Sequence, residues 1–260
     1  MKKQKIRLDQ LLVNRHLAES RSRAQALIMA GYVAQNGRRL DKPGQFIAET
    51  AEITLRSSHE HPWVSRGGLK LVHGLTHFGV ITQEKVALDI GAATGGFTDV
   101  LLAGGAARVY AVDVGYGQLA MRLRHNQRVV TLERTNARFL STTQVPEGVD
   151  LVVCDASFIG LQTVLPAPLS LTRPGARLIA LIKPQFEVGR TLVGKRGIVR
   201  DPLLQAEVCH RITDWIEKQP EWSVLGIVES PILGTKGNRE FLIGAERERC
   251  QLYTPSPLQQ

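Results

Sequence analysis

Long apolar runs are missing from this sequence. No stretch reaches the roughly 18 consecutive apolar residues that a membrane-spanning helix needs, so no membrane span is expected. Cysteine is scarce, with 3 in 260 residues. Cys154, Cys209 and Cys250 are odd in number and lack paired metal-type spacing. Neither a disulfide framework nor a zinc site is expected, and a reducing cytoplasm fits. No secretory leader is expected either: Met1-Lys2-Lys3-Gln4-Lys5 is basic, but the residues after it are amphipathic and charged. Acidic residues are outnumbered. Lys plus Arg is 33 against 24 Asp plus Glu, a formal charge of +9 with a pI near 9.8. That surplus makes a polyanion a plausible partner. What is present is a 43% hydrophobic content, which supports a sizeable core and excludes a disordered chain. The length suits one large domain, or a medium one with a small companion.

The charge is unevenly spread. Residues 1–60 hold 11 Lys/Arg and 6 Asp/Glu, a net of +5, and the other 200 residues hold 22 and 18, a net of +4. A separate basic module at the amino terminus follows. Leu8, Leu11 and Leu12 recur at helical spacing with Asp9 in the first turn. Ser20 can cap a second helix, Ser22 to Ala30, with Ala24, Leu27 and Ile28 inward, and Gly31 can close it. Short strands follow at 32–34 and 53–55, with a turn at Asn36-Gly37. Arg7, Arg15, Arg21, Arg23, Arg38 and Arg39 lie on or beside these elements, where a guanidinium can grip a phosphate with two parallel hydrogen bonds. A solvated basic face is the plain alternative. Arg7-Leu-Asp-Gln-Leu-Leu12, Ser20-Arg-Ser-Arg-Ala-Gln-Ala-Leu-Ile-Met-Ala-Gly31 and Val33 to Gly37 resemble the S4 RNA-binding module. The resemblance implies binding to structured RNA through shape and phosphate contacts.

Residues 57–64 are polar and contain Pro62, and Trp63 reads as an apolar anchor between domains. Beyond them, apolar runs at 86–90, 108–112, 129–132, 151–154 and 177–182 alternate with helical stretches at 97–104, 118–124, 161–169 and 203–218. Late strands are expected at 223–229 and 240–245. This alternation predicts an α/β fold with a mostly parallel, doubly wound sheet, Rossmann-like in kind, whose ligands sit beyond the carboxyl ends of the strands. The boundaries expected are 1–60 for the S4-like domain, 61–64 for a linker, 65–250 for the large domain and 251–260 for a tail.

The loop after the first of these strands runs Asp89-Ile-Gly-Ala-Ala-Thr-Gly-Gly-Phe-Thr98. Its glycines let the backbone approach a ligand closely. A Gly-rich strand-to-helix turn is a weak signal alone, and this one lacks the G-x-G-x-x-G spacing of a dinucleotide site. It starts with an acid, and Asp113 ends the next strand, where a carboxylate can accept both hydroxyls of an adenosine ribose. An acid before the glycines suits a ligand with a cationic amino-acid end and no phosphate, as S-adenosylmethionine has. The cofactor set expected is Asp89, Gly91, Ala93, Gly95, Gly96, Phe97, Asp113 and Asp155.

Four further charges stand out: Lys70 in Ser65-Arg-Gly-Gly-Leu-Lys70, Asp155 after an apolar strand, Lys183 at the end of another, and Glu240 where a late strand begins. Singly, each could be solvated or salt-bridged. In this order, with these flanks, they resemble the Lys-Asp-Lys-Glu tetrad of FtsJ-like ribose 2′-O-methyltransferases. Together with Asp155-Ala-Ser-Phe-Ile159, Lys183-Pro-Gln-Phe-Glu-Val-Gly189 and Lys195-Arg-Gly-Ile-Val-Arg-Asp-Pro202, the chain is similar over nearly its full length to the TlyA family, also called hemolysin A. One departure is His61-Pro62 before Trp63-Val64. The resemblance implies methylation of a cytidine 2′-hydroxyl in ribosomal RNA of the small subunit, the large one, or both, with S-adenosylmethionine as donor. It implies free ribosomal RNA or ribosomal subunits as partner, no metal, and RNA contacts from Arg7, Arg15, Arg21, Arg23, Arg38, Arg66 and Arg196. A ribose hydroxyl is a poor nucleophile at neutral pH, so a base must take its proton, and Lys183 is the candidate. A nicotinamide oxidoreductase is disfavoured by the loop spacing, and a membrane-lytic pore by strands that alternate with helices.

Overall fold

The computed structural model describes residues 5–29, 31–55, 61–189, 192–194 and 197–249. The chain divides into two compact units, Met1–Pro62 and Trp63–Gln260.

In the first unit, β1 (Lys5–Arg7), α1 (Leu8–Asn14) and α2 (Arg21–Met29) precede four short strands. These are β2 (Val33–Gln35), β3 (Arg38–Arg39), β4 (Phe46–Ala48) and β5 (Ile53–Leu55). The leucine spacing acts as expected: Leu8, Leu11 and Leu12 are buried with Ala24, Ile28, Val33 and Ile47. Ser20 accepts the Arg23 N–H at 3.2 Å and caps α2. The β2–β3 turn places Asn36 and Gly37 both at positive φ, as a tight two-residue hairpin requires. The β1–β4 pair was not expected, because three-residue strands are too short to show alternation.

The second unit is built on seven strands in the order β11-β12-β10-β9-β6-β7-β8. They are β6 (Val86–Ile90), β7 (Arg108–Val112), β8 (Val129–Leu132), β9 (Val149–Cys154), β10 (Thr172–Ile182), β11 (Trp222–Glu229) and β12 (Phe241–Arg247). The five from β6 to β10 pair in parallel, while β12 runs antiparallel to both β10 and β11. Alternate residues serve opposite layers. Ala87, Val109, Leu151, Val153 and Ile179 pack with Leu71 of α3 (Gly67–His77), Val100 and Leu101 of α4 (Gly96–Ala103) and Leu123 of α5 (Met121–Arg124). Leu88, Tyr110, Val152 and Leu178 pack on the other side, against α6 (Leu161–Val164), α7 (Pro166–Ser170) and α9 (Pro202–Glu217). The short α8 (Pro184–Glu187) follows β10. Each fully buried Leu, Ile or Val in these layers contributes about 1.5–3 kcal/mol.

Three local expectations are corrected. The helix expected at 161–169 is two helices, broken before Pro166, which has no amide hydrogen to continue the ladder. The helix expected from 118 starts only at Met121. Helix α3, which carries Lys70, was not anticipated, because three glycines lower its helical propensity. Two of them are imposed by packing: a Cβ at Gly68 would lie 2.4 Å from Trp63 Cγ, and one at Gly74 would lie 3.0 Å from Ile179 Cγ2. Trp63 and Val64 pack into the core of this second unit.

Candidate active site

The sheet brings three strand ends to one cavity. Ile90 ends β6, Val112 ends β7 and Asp155 follows β9, and all three line a cavity of about 470 Å³. That is where a doubly wound sheet binds ligands, and the volume is that of a small-molecule site. Of the expected cofactor residues, Gly91, Ala93, Asp113 and Asp155 line it. Asp113 accepts the backbone N–H groups of Ala93 at 2.9 Å and Gly115 at 2.7 Å, tying together the loops after β6 and β7. A carboxylate has about four acceptor positions, so two are left for a ligand.

Asp89, Gly95, Gly96 and Phe97 do not line the cavity. Phe97 is a core residue. Asp89 is fully buried and accepts the Thr98 hydroxyl at 2.6 Å, which anchors α4 to β6. Burial pushes its carboxyl up to about 7, against the Thr98 hydrogen bond and with help from the charges of Asp155 and Asp113. Two of the glycines also leave room for the protein's own chain. A Cβ at Gly96 would lie 2.2 Å from Ser65 Oγ and 3.1 Å from the Gly68 amide. The space that glycine leaves is therefore filled by the amino end of α3. Gly91, at φ +80, makes room for Ala156, whose Cα would lie 2.8 Å from an added Cβ.

The four tetrad residues form two ion pairs. Lys70 Nζ donates to Glu240 Oε2 at 2.5 Å, and both residues are buried. Lys183 is buried as well. Its Nζ donates to the Asp155 carbonyl and to Ser157 Oγ, each at 2.9 Å. Asp155 Oδ1 lies 2.7 Å from the same ammonium but receives no hydrogen bond from it, so that contact is electrostatic. Gln185, two residues beyond Lys183 in sequence, donates its Nε2 to Glu240 Oε1 at 3.3 Å. Gly234 is obligatory beside them, since a Cβ there would lie 1.8 Å from Glu240 Oε1. Sequence reasoning missed Ser65, Ser157, Gln185 and the cavity residues Thr135, Asn136 and Phe158. Ser65, Ser157, Gln185 and Phe158 lie near residues already singled out, whereas Thr135 and Asn136, past the end of β8, carry no such signal.

In the first unit, several arginines are engaged within the module. Arg7 and Arg21 both bind Asp9, at 2.8 and 3.2 Å. Asp9 is buried, and the Arg7 guanidinium holds its carboxyl well below the usual range. Arg15 donates to the carbonyls of Ala51, at 2.7 Å, and Glu49. Arg23 and Arg38 are exposed, as is Arg66 at the start of α3 in the second unit. Arg196 lies outside the described residues.

A mostly parallel seven-stranded sheet with an antiparallel edge pair, and acids at strand ends over one cavity, defines a Rossmann-like methyltransferase fold. Residues 6–53 match the S4 domain and residues 63–247 the FtsJ-like methyltransferase. The chain is 46% identical over 237 residues to the 16S/23S rRNA (cytidine-2′-O)-methyltransferase TlyA of Mycobacterium tuberculosis, covering 91% of this chain and 88% of that protein. It is 47% identical over 244 residues to YqxC of Bacillus subtilis, which carries a provisional rRNA methyltransferase name, with 94% and 86% covered. A solved Streptococcus thermophilus structure, provisionally named a hemolysin, is 39% identical with a TM-score of 0.72, over 97% of this chain and 93% of that one. The chain therefore belongs to the TlyA family of FtsJ-like methyltransferases with an S4 domain.

Proposed function

We propose that this protein transfers a methyl group from S-adenosylmethionine to the 2′-hydroxyl of a cytidine in ribosomal RNA. The observation that carries this reading is the pairing of two buried lysines with two carboxylates, one of which, Asp155, lines the cavity. The cavity suits the donor: its acids accept hydroxyls and favour a cation, and among the described residues none of its lining is basic. Asp113 would hold the ribose hydroxyls of the donor, and Gly91 and Ala93 its flanks, while Asp89 supports the loop from behind. When bound, the donor supplies an electrophilic methyl carbon on a sulfonium.

The protein's own part is to place a hydroxyl in line with that carbon and to take its proton. Lys183 is the base. It must give up a proton before it acts. Glu240 fixes Lys70, and Asp155 orients Lys183 through its carbonyl and its charge. The S4 domain, with Arg23 and Arg38, would supply phosphate contacts, joined by Arg66 and Arg196 in the second unit, and the substrate would be free ribosomal RNA or an assembled subunit. A ribosomal RNA substrate implies the cytoplasm. Among the described residues, no helix is long and apolar enough to cross a membrane. The test is to map 2′-O-methyl positions on ribosomal RNA from cells with and without the protein, and to restore the missing ones with purified protein and donor. An unchanged map would reject the reading.

A further inference from the structure

We propose that Ser157 is a positioning residue that aims the lone pair of Lys183 at the hydroxyl to be methylated. The inference rests on the methyl-transfer reading of the site. A neutral lysine amine has two N–H bonds and one lone pair at tetrahedral angles around Nζ. Fixing both N–H bonds therefore fixes the lone pair. The structure offers two hydrogen-bond acceptors to Nζ, the Asp155 carbonyl and Ser157 Oγ, each at 2.9 Å. The remaining contact, Asp155 Oδ1 at 2.7 Å, is not a hydrogen bond. In the resting ammonium the third N–H is directed away from that oxygen, and in the neutral amine the lone pair takes its place. When the base acts, the hydroxyl O–H bond breaks and its proton joins the lone pair. The oxygen's electron pair would then bond the methyl carbon as that carbon's bond to sulfur breaks, leaving the spent donor a neutral thioether and Lys183 an ammonium.

One of the two acceptors is main chain and beyond substitution, so Ser157 is the only side chain that fixes an N–H direction on Lys183 among the described contacts. It lines the cavity together with Asp113 and Asp155. It is exposed while Lys183 is buried, so changing it does not open the core. Asp155, by contrast, touches Lys183 through both carbonyl and carboxylate, and replacing it removes a charge as well as an orientation.

The experiment compares Ser157→Ala and Ser157→Thr with the wild-type chain in single-turnover methyl transfer at saturating donor and RNA. Calorimetry gives donor affinity and filter binding gives RNA affinity. Ser157→Ala should slow the chemical step about 10- to 100-fold, the worth of a hydrogen bond to a charged or reacting group, with both affinities within about twofold of wild type. Ser157→Thr keeps the hydroxyl and should recover to within about threefold of wild type, the margin left for its added methyl group. An Ala variant at the wild-type rate, a Thr variant as slow as Ala, or a rate loss matched by an equal loss of donor affinity would each overturn the proposal. Failure of the underlying reading is distinguishable, because the wild-type chain itself would then transfer no methyl group.

Discussion

Lys183 and Lys70 are buried cations, and each is tolerated because an acid lies against it. Lys183→Ala should abolish methyl transfer while donor and RNA affinities stay near normal. Lys183→Arg decides the role: arginine keeps the charge but does not release a proton at working pH, since its pKa exceeds about 12. A base is nearly as inactive with Arg as with Ala, whereas substantial single-turnover activity with Arg would leave only an electrostatic role. Asp113→Ala should weaken donor binding by about 2–4 kcal/mol, the loss of two charge-assisted hydrogen bonds, and leave RNA binding largely intact. Unchanged donor affinity in calorimetry would remove Asp113 from the donor site. Asp89 acts through stability. Its carboxyl rises from 3.8 to about 7 on folding, so between those values the folded chain holds a proton the unfolded chain has released. The stability linked to that proton is fully present below about pH 4 and lost as pH rises through about 7. Asp89→Asn keeps an acceptor for Thr98 and removes the titration, so its Tm should fall less than that of wild type between about pH 5 and 8. Equal falls in the two proteins would contradict the raised carboxyl.

Elements with unbroken apolar patterns are legible in the sequence itself. The runs at 86–90, 108–112 and 129–132 are β6, β7 and β8 to the residue. Helix α9 is nearly so: Asp201 accepts the Leu203 N–H at 2.9 Å, Pro202 occupies the first turn, and Val208, Ile212 and Ile216 form one buried stripe. Ile212→Ala should cost about 2–4 kcal/mol in urea unfolding through lost burial and the cavity left behind. A cost under about 1 kcal/mol would mean that the stripe collapses to fill the gap. Helix α3 shows the opposite case. Its glycines disfavour a helix locally, and close approach to Trp63 and Ile179 accounts for two of them, Gly68 and Gly74. A residue selected by a neighbour remote in sequence leaves no local pattern to read.

At the scale of the whole molecule, the excess positive charge of the first 60 residues implies a polyanion, but charge alone does not say which arginines are available. Arg7, Arg15 and Arg21 donate hydrogen bonds to acceptors within the module, Arg21 while exposed, whereas exposed Arg23 and Arg38 are not among those tied to Asp9. Replacing Arg23 and Arg38 together by Ala should weaken RNA binding and flatten the slope of log affinity against log salt by about 1.5, for two phosphates no longer neutralised. An unchanged slope would assign the phosphate contacts elsewhere. The sequence by itself determined the succession of strands from β6 to β12, the basic module, the acid at the end of β7 and the succession Lys70, Asp155, Lys183, Glu240. All of these are one-dimensional properties: periodicity, charge, and residue type at the end of a run. Only the tertiary structure decided that Lys70 meets Glu240, 170 positions away, and that Gln185 donates to the same carboxylate. It likewise decided that Ser157 holds Lys183, that Asp89 is sealed behind Thr98, and that Gly96 yields its space to Ser65. The physical reason is the same in each case. Hydrogen bonds and close packing depend on atoms a few ångströms apart in space, and the chain carries no local record of which distant residue will arrive there.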